Sequence, residues 1–204
     1  MVTGAGGMLA RDVVGEMERR GHQVLALPRE RLDVTDEAAV REYVEGARPA
    51  VVVQCAAYTG VDRAEEEEAA ATCVNSLGTR NLAQACDRTG ALLVYPSTDY
   101  VFSGESRTPY APGDPPSPVN AYGRSKLAGE RAALDTGRAL VVRTSWLYGA
   151  GGANFVHTVA RLAREKGALD VVADQVGRPT WAGSLALIVS ELIEAGAEGI
   201  FHAT

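Results

Sequence analysis

The chain has 204 residues, 46% hydrophobic and 23% charged, enough for one large domain with a continuous core. A formal net charge of −6 argues against a general attraction to nucleic acid or to an anionic membrane. No apolar run approaches the ~20 residues needed to span a bilayer. The three cysteines, Cys55, Cys73 and Cys86, form no C-x-x-C pair, so neither a disulfide frame nor a metal site is expected. No basic-then-apolar signal segment opens the chain, and a cytoplasmic location is the expectation.

Met1 to Thr3 are too few for a full first strand. They lead into Gly4-Ala-Gly-Gly7-Met8-Leu9-Ala10, a pattern that fits a strand-to-helix turn open to a pyrophosphate. Leu9, Val13, Val14 and Met17 then recur at helical spacing, and Gly21 ends the helix. A second strand is expected over Gln23–Leu27. Arg29, just beyond it, tilts towards the 2′-phosphate of NADP, while Glu30 and Arg31 blur the choice and a solvated loop charge is the plain alternative. Asp33 and Val34 precede a helix capped by Thr35 or Asp36 and running to about Glu45. Asp33 is either an adenine contact or a turn residue.

Ala50–Gln54 reads as a buried parallel strand, ending in the small residues Cys55, Ala56 and Ala57 where a cofactor can lie close. Cys55 reads as packing and not as a nucleophile. Asp62 to about Thr89 is expected to be one long helical region. The acids Glu65–Glu68 are expected on its solvated face near the N-terminus. Asn75 is either a surface residue or a group holding backbone or water near an active site. Ala91–Tyr95 forms the fourth strand and delivers Thr98 at its carboxyl end, followed by a proline-rich passage over 103–119.

Asn120 caps the helix carrying Tyr122 and Lys126, which are i and i+4 and project from one face. An ammonium beside a phenol is expected to stabilise the phenolate, and a phenol so tuned can protonate a developing alkoxide. Thr98 adds a hydrogen bond to the same oxygen. Gly123 and Gly129 leave room for a cofactor or a partner helix. Ala139–Arg143 is the fifth strand and places Trp146 and Tyr148 at the ligand edge. An amphipathic helix follows from Phe155, then a strand over Leu169–Val172, a polar loop to Thr180, a helix over Ser184–Ala195 and a last strand at Ile200. His22, His157 and His202 read as structural or surface residues. The alternation predicts an α/β fold with a doubly wound parallel sheet.

Val2–Leu9, Leu32–Asp36, Ala56–Glu65, Val74-Asn75, Ser97–Phe102, Asn120–Glu130, Arg143–Gly149, Asn154-Phe155 and Asp174–Thr180 together resemble the sugar-nucleotide branch of the extended short-chain dehydrogenase/reductase family. The resemblance covers essentially the whole chain. It implies a single NAD(P)-binding Rossmann-type domain over 1–204, with pieces of a small substrate lobe within 146–190 and the remainder of that lobe missing. Gly4, Gly7, Met8 and Leu9 would line the pyrophosphate, Asp33 and Val34 the adenine, and Ala56, Ala57 and Tyr58 the adjoining part of the cofactor. Tyr122 would donate the proton, Lys126 would bind the nicotinamide ribose, and Thr98, Asp99 and Trp146 would hold the sugar.

The implied reaction is hydride transfer from NADPH, or NADH, to the C4 keto group of a dTDP-linked 4-keto-6-deoxy-L-hexose. A homodimer is allowed, and no metal is called for. Tyr100 stands where the family's 4,6-dehydratases carry a Glu, which argues against water loss. A C4 epimerase with tightly held NAD, or a non-catalytic NADP-binding regulatory subunit, are the alternatives.

Overall fold

The computed structural model describes residues 1–152 and 154–204. In chain order the elements are β1 (Val2–Thr3), α1 (Met8–Arg19), β2 (Ala26–Leu27), α2 (Glu37–Ala47), β3 (Val51–Gln54), α3 (Glu68–Thr72), α4 (Gly78–Thr89) and β4 (Leu92–Thr98). There follow α5 (Ala121–Leu134), β5 (Ala139–Thr144), β6 (Leu147–Tyr148), α6 (Phe155–Lys166), β7 (Thr180–Trp181), α7 (Ala182–Glu194) and β8 (Gly199–His202). Six strands form one parallel sheet in the order β2-β1-β3-β4-β5-β8. This is the predicted doubly wound α/β architecture.

The strands are apolar on both sides because helices cover both faces. Leu93, Tyr95 and Val141 pack with residues of α2, α4 and α5. Val2, Val53, Val94 and Val142 pack with α1 and α7. The strand order reverses between β1 and β3, so a crevice opens at their carboxyl ends, the usual ligand position of such sheets.

Several elements differ from the reading of the sequence. β2 is confined to Ala26–Leu27, since β1, its partner, offers only Val2 and Thr3 for pairing. The region from Asp62 is not one helix. A 3-10 turn at Arg63–Glu65 precedes α3, and a π turn over Cys73–Leu77 joins α3 to α4.

Leu169–Val172 is not a strand. The segment pairs with no strand among the described residues, and Val171 and Val172 stay exposed and out of the core. Instead β6 and β7 pair in parallel as a separate small sheet. Gly123 and Gly129 make room for backbone. A Cβ at Gly123 would strike the Tyr100 carbonyl, and one at Gly129 the Asn75 carbonyl and the Tyr95 hydroxyl. The helix α5 therefore sits unusually close to β4 and to the π turn.

Candidate active site

The turn after β1 is shaped for close approach. Gly4 has φ +63°, a conformation glycine adopts without strain. A Cβ there would lie 2.6 Å from the Ala56 amide nitrogen, so the turns after β1 and β3 touch. The Gly7 amide closes the loop on the Gly4 carbonyl at 2.8 Å. Gly7 caps α1 with no side chain accepting from its first turn, which leaves amide donors and the positive end of the helix facing the crevice. Met8 borders the turn half-buried, and Leu9 is turned into the core.

On the adenine side Asp33 is engaged locally. Its Oδ1 accepts from the Thr35 amide at 3.0 Å and the Thr35 hydroxyl at 2.8 Å, and its Oδ2 lies 3.3 Å from Arg29. These bonds hold its carboxyl below the ordinary value, with the Thr35 amide the largest cause. The side chain of Val34 is core, packed on Gly78, and its carbonyl accepts from Asn81. Of the two, the Asp33 side chain is the one that reaches the surface at this corner. Arg29 is exposed and lines a cavity of about 450 Å³ with Ala57, Tyr58 and Arg63.

Asn75 resolves to the second of its two readings. It is fully buried in the π turn. Its Oδ1 accepts from the Tyr58 amide at 2.9 Å, and its Nδ2 donates to the Tyr58 carbonyl at 3.0 Å and to Ser125 Oγ at 2.9 Å. One amide thus ties the strand end beyond β3 to the middle of α5. In the π turn the Asn75 carbonyl accepts from the Thr79 hydroxyl at 2.6 Å and from the Tyr95 hydroxyl at 3.1 Å.

Thr98, Asp99, Tyr100 and Tyr122 converge at the end of β4. Thr98 is buried, donates to Asp99 Oδ1 at 3.1 Å and accepts from the Tyr100 amide at 3.2 Å. The Tyr100 ring meets Tyr122 edge-on, with centroids 5.8 Å apart. Burial pushes the Asp99 carboxyl up, with the Thr98 hydroxyl opposing.

The expected ammonium–phenolate pairing is not formed. Lys126 Nζ donates to the Pro96 carbonyl at 2.7 Å and lies 3.9 Å from the Tyr95 ring centroid. Burial raises the Tyr122 phenol well above its ordinary value, with the Asp99 carboxylate adding and Thr98 opposing. Burial also lowers Lys126 to about 7, with Glu130 and Cys55 pulling the other way. The site holds a firmly protonated phenol, and the lysine charge is lost as pH rises through about 7. The Cys55 thiol is pushed up to about 12 by desolvation, in keeping with a packing role.

Trp146 stands at the same edge, half exposed, with φ +46°. An aromatic residue held in the left-handed region stores strain, a feature that gathers at ligand sites. Its carbonyl accepts from the Thr180 amide at 3.4 Å, and Ser145 Oγ donates to the Arg178 carbonyl at 2.7 Å. Gly177 packs against the indole.

The acids at 65–68 are not simply a solvated face. Glu65 accepts from the Ala121 amide at 2.7 Å and caps α5 beside Asn120, whose side chain accepts from the Gly123 amide at 2.7 Å. Glu67 accepts from the Tyr58 hydroxyl, and Glu68 pairs with Arg124. Glu130 and Arg143 were singled out by no spacing rule, although Tyr122, Lys126 and Glu130 fall at i, i+4 and i+8 on one stripe of α5.

The family described as the RmlD substrate binding domain matches residues 1–204. The chain belongs to this family. It is 51% identical to a dTDP-4-dehydrorhamnose reductase of Streptomyces griseus, over all of this chain and 69% of that protein. A dTDP-4-keto-6-deoxy-D-glucose reductase of Streptomyces niveus is 47% identical, over all of this chain and 72% of the relative. The crystal structure of a Bacillus anthracis dTDP-4-dehydrorhamnose reductase in complex with NADP superposes with a TM-score of 0.96 at 40% identity, over all of this chain and 73% of that one. The chain spans about two thirds of the length of the curated relatives it matches, from 63% to 72% in the first three. No helix among the described residues is long and apolar enough to cross a membrane.

Proposed function

We propose that this chain carries the cofactor-binding and catalytic portion of an NADPH-dependent reductase acting on the C4 keto group of dTDP-4-dehydrorhamnose. The observation that carries the reading is the meeting of Thr98 and Tyr122 at the end of β4, next to the strand that lines the switch-point crevice. The named relatives add the sugar and the cofactor.

The residues fit a dinucleotide. The cradle at Gly4, which a Cβ would fill, and the uncapped first turn of α1 suit a pyrophosphate. Ala56, Ala57 and Tyr58 lie along the path from that turn to Thr98. Lys126 is the cation available to the nicotinamide ribose. Bound there, a reduced nicotinamide supplies the hydride.

The chain's own residues handle the oxygen. Tyr122, kept protonated by burial, donates its proton to the carbonyl oxygen as that oxygen gains charge. Thr98 releases its hydrogen bond to Asp99 and donates to the same atom. Trp146 offers an indole edge to the sugar.

Purified protein incubated with dTDP-4-dehydrorhamnose, or with the D-gluco 4-keto isomer, should oxidise one NADPH per sugar reduced. Absence of turnover with both sugars contradicts the proposal. In the same assay Arg29→Ala is expected to weaken NADPH binding and leave NADH binding unchanged. Equal effects on the two cofactors would remove Arg29 from the 2′-phosphate site.

A further inference from the structure

Beneath Thr98 and Tyr122 lies a charge cluster that the reaction itself does not use. Arg143, on β5, donates from Nε to Glu130 Oε1 at 2.9 Å and from Nη2 to Glu130 Oε2 at 2.7 Å. Both side chains are almost wholly buried, 4% and 2% exposed. Ser97, the residue before Thr98, donates to Glu130 Oε1 at 2.5 Å. Arg143 Nη1 reaches the Pro112 carbonyl at 3.2 Å, and its guanidinium lies 4.9 Å from the Phe102 ring centroid. The pair therefore touches α5, β4, β5 and the proline-rich passage at once.

Two features of this cluster bear on the site. Ser97 and Arg143 each precede the threonine that ends their strand, and Thr98 pairs in register with Thr144. Glu130 follows Lys126 by one helical turn, about 6 Å along the axis. The groups around Lys126 are Cys55 beyond β3, the Pro96 carbonyl and the Tyr95 ring on β4, and Glu130 on its own helix; of these Glu130 carries the anion, itself paired with the Arg143 cation of β5.

We propose that Glu130 is a positioning residue: through Ser97 and Arg143 it locks the helix carrying Tyr122 and Lys126 onto the strand carrying Thr98, with its carboxylate one helical turn from the Lys126 ammonium. The fork of Arg143 fixes the carboxylate in one orientation, as a bidentate guanidinium does. A plain packing role would be served by any group of the same shape. The charge is what the position adds.

The proposal rests on the reading of Tyr122, Lys126 and Thr98 as the site, yet its test needs neither cofactor nor sugar. The chain contains two lysines, Lys126 and the exposed Lys166. Protein labelled with ¹³C at lysine Cε gives two resolvable signals, with Lys166 as internal reference. In the wild type Lys126 is expected to titrate near 7. In Glu130→Gln, which keeps the shape and removes the charge, the midpoint should fall to about 6 or below, the size of shift a nearby opposite charge produces.

If Glu130→Gln does not fold, Glu130→Asp draws the charge back by one methylene and should lower the midpoint by a smaller amount. A Lys126 midpoint unmoved in the Gln variant, or in the Asp variant where that is the one that folds, overturns the proposal. Failure of the reductase reading would appear instead as absent NADPH oxidation with the lysine titration intact.

Discussion

Tyr122→Phe is expected to lower kcat by about 10²- to 10⁴-fold, the usual contribution of a positioned proton donor. NADPH affinity should be unchanged. The substitution removes one hydroxyl from a ring whose packing against Tyr100, Ala64 and Ala71 stays in place. Thermal stability should therefore stay near the wild-type value while turnover collapses. Burial holds the Tyr122 proton firmly, so wild-type turnover should show no loss from phenol ionisation across the neutral range. Loss of the Lys126 charge should instead weaken cofactor binding as pH rises through about 7. Single-turnover rates and cofactor titrations measured from pH 6 to 9 separate the two effects. A Phe variant as fast as the wild type would remove Tyr122 from the reaction.

Arg143→Ala is expected to be the most destabilising single change at the site, by about 3–5 kcal/mol. It strands the Glu130 carboxylate in an interior that excludes water. The Pro112 carbonyl and the Phe102 ring lose their partner in the same step. Arg124→Ala, which breaks an exposed pair with Glu68, should cost about 1 kcal/mol or less. Urea unfolding of the two variants compares a buried with an exposed ion pair, each with one member on α5. Equal losses would mean that the buried pair adds nothing beyond its surface counterpart.

The parts of this molecule that were legible in the sequence are those fixed by local rules. The glycine turn at Gly4–Gly7 was legible as a strand-to-helix turn, and the close packing of Gly4 on the Ala56 backbone was not. The i, i+4 spacing of Tyr122 and Lys126 placed them on one face of α5, capped by Asn120 as expected. Apolar runs such as Leu92–Val94 and Ala139–Val142 marked strands buried on both faces.

What escaped depends on partners distant in the chain. The lysine was expected beside the phenol, but the Pro96 carbonyl and the Tyr95 ring, contributed by β4, draw it downward. Leu169–Val172 has a strand's composition, and strand formation also needs a pairing partner; the sheet pairings of the described residues are made by other segments. Glu65 looked like one of four solvated acids, until α5 brought the Ala121 amide to it from 56 residues away. Nothing in the spacing pairs Glu130 with Arg143, because the sequence alone does not show that a helix and a strand will face each other with both charges inside.

In the proposed reaction a hydride is delivered to C4 of the sugar and a proton to its oxygen. NADPH carrying deuterium at both positions of C4 of the nicotinamide, incubated with dTDP-4-dehydrorhamnose and this protein, tests it most directly. The expected product carries one deuterium at C4, with one NADP⁺ formed for each sugar reduced. A sugar altered at C4 with no net NADP⁺, or a reduced product free of deuterium, would contradict it.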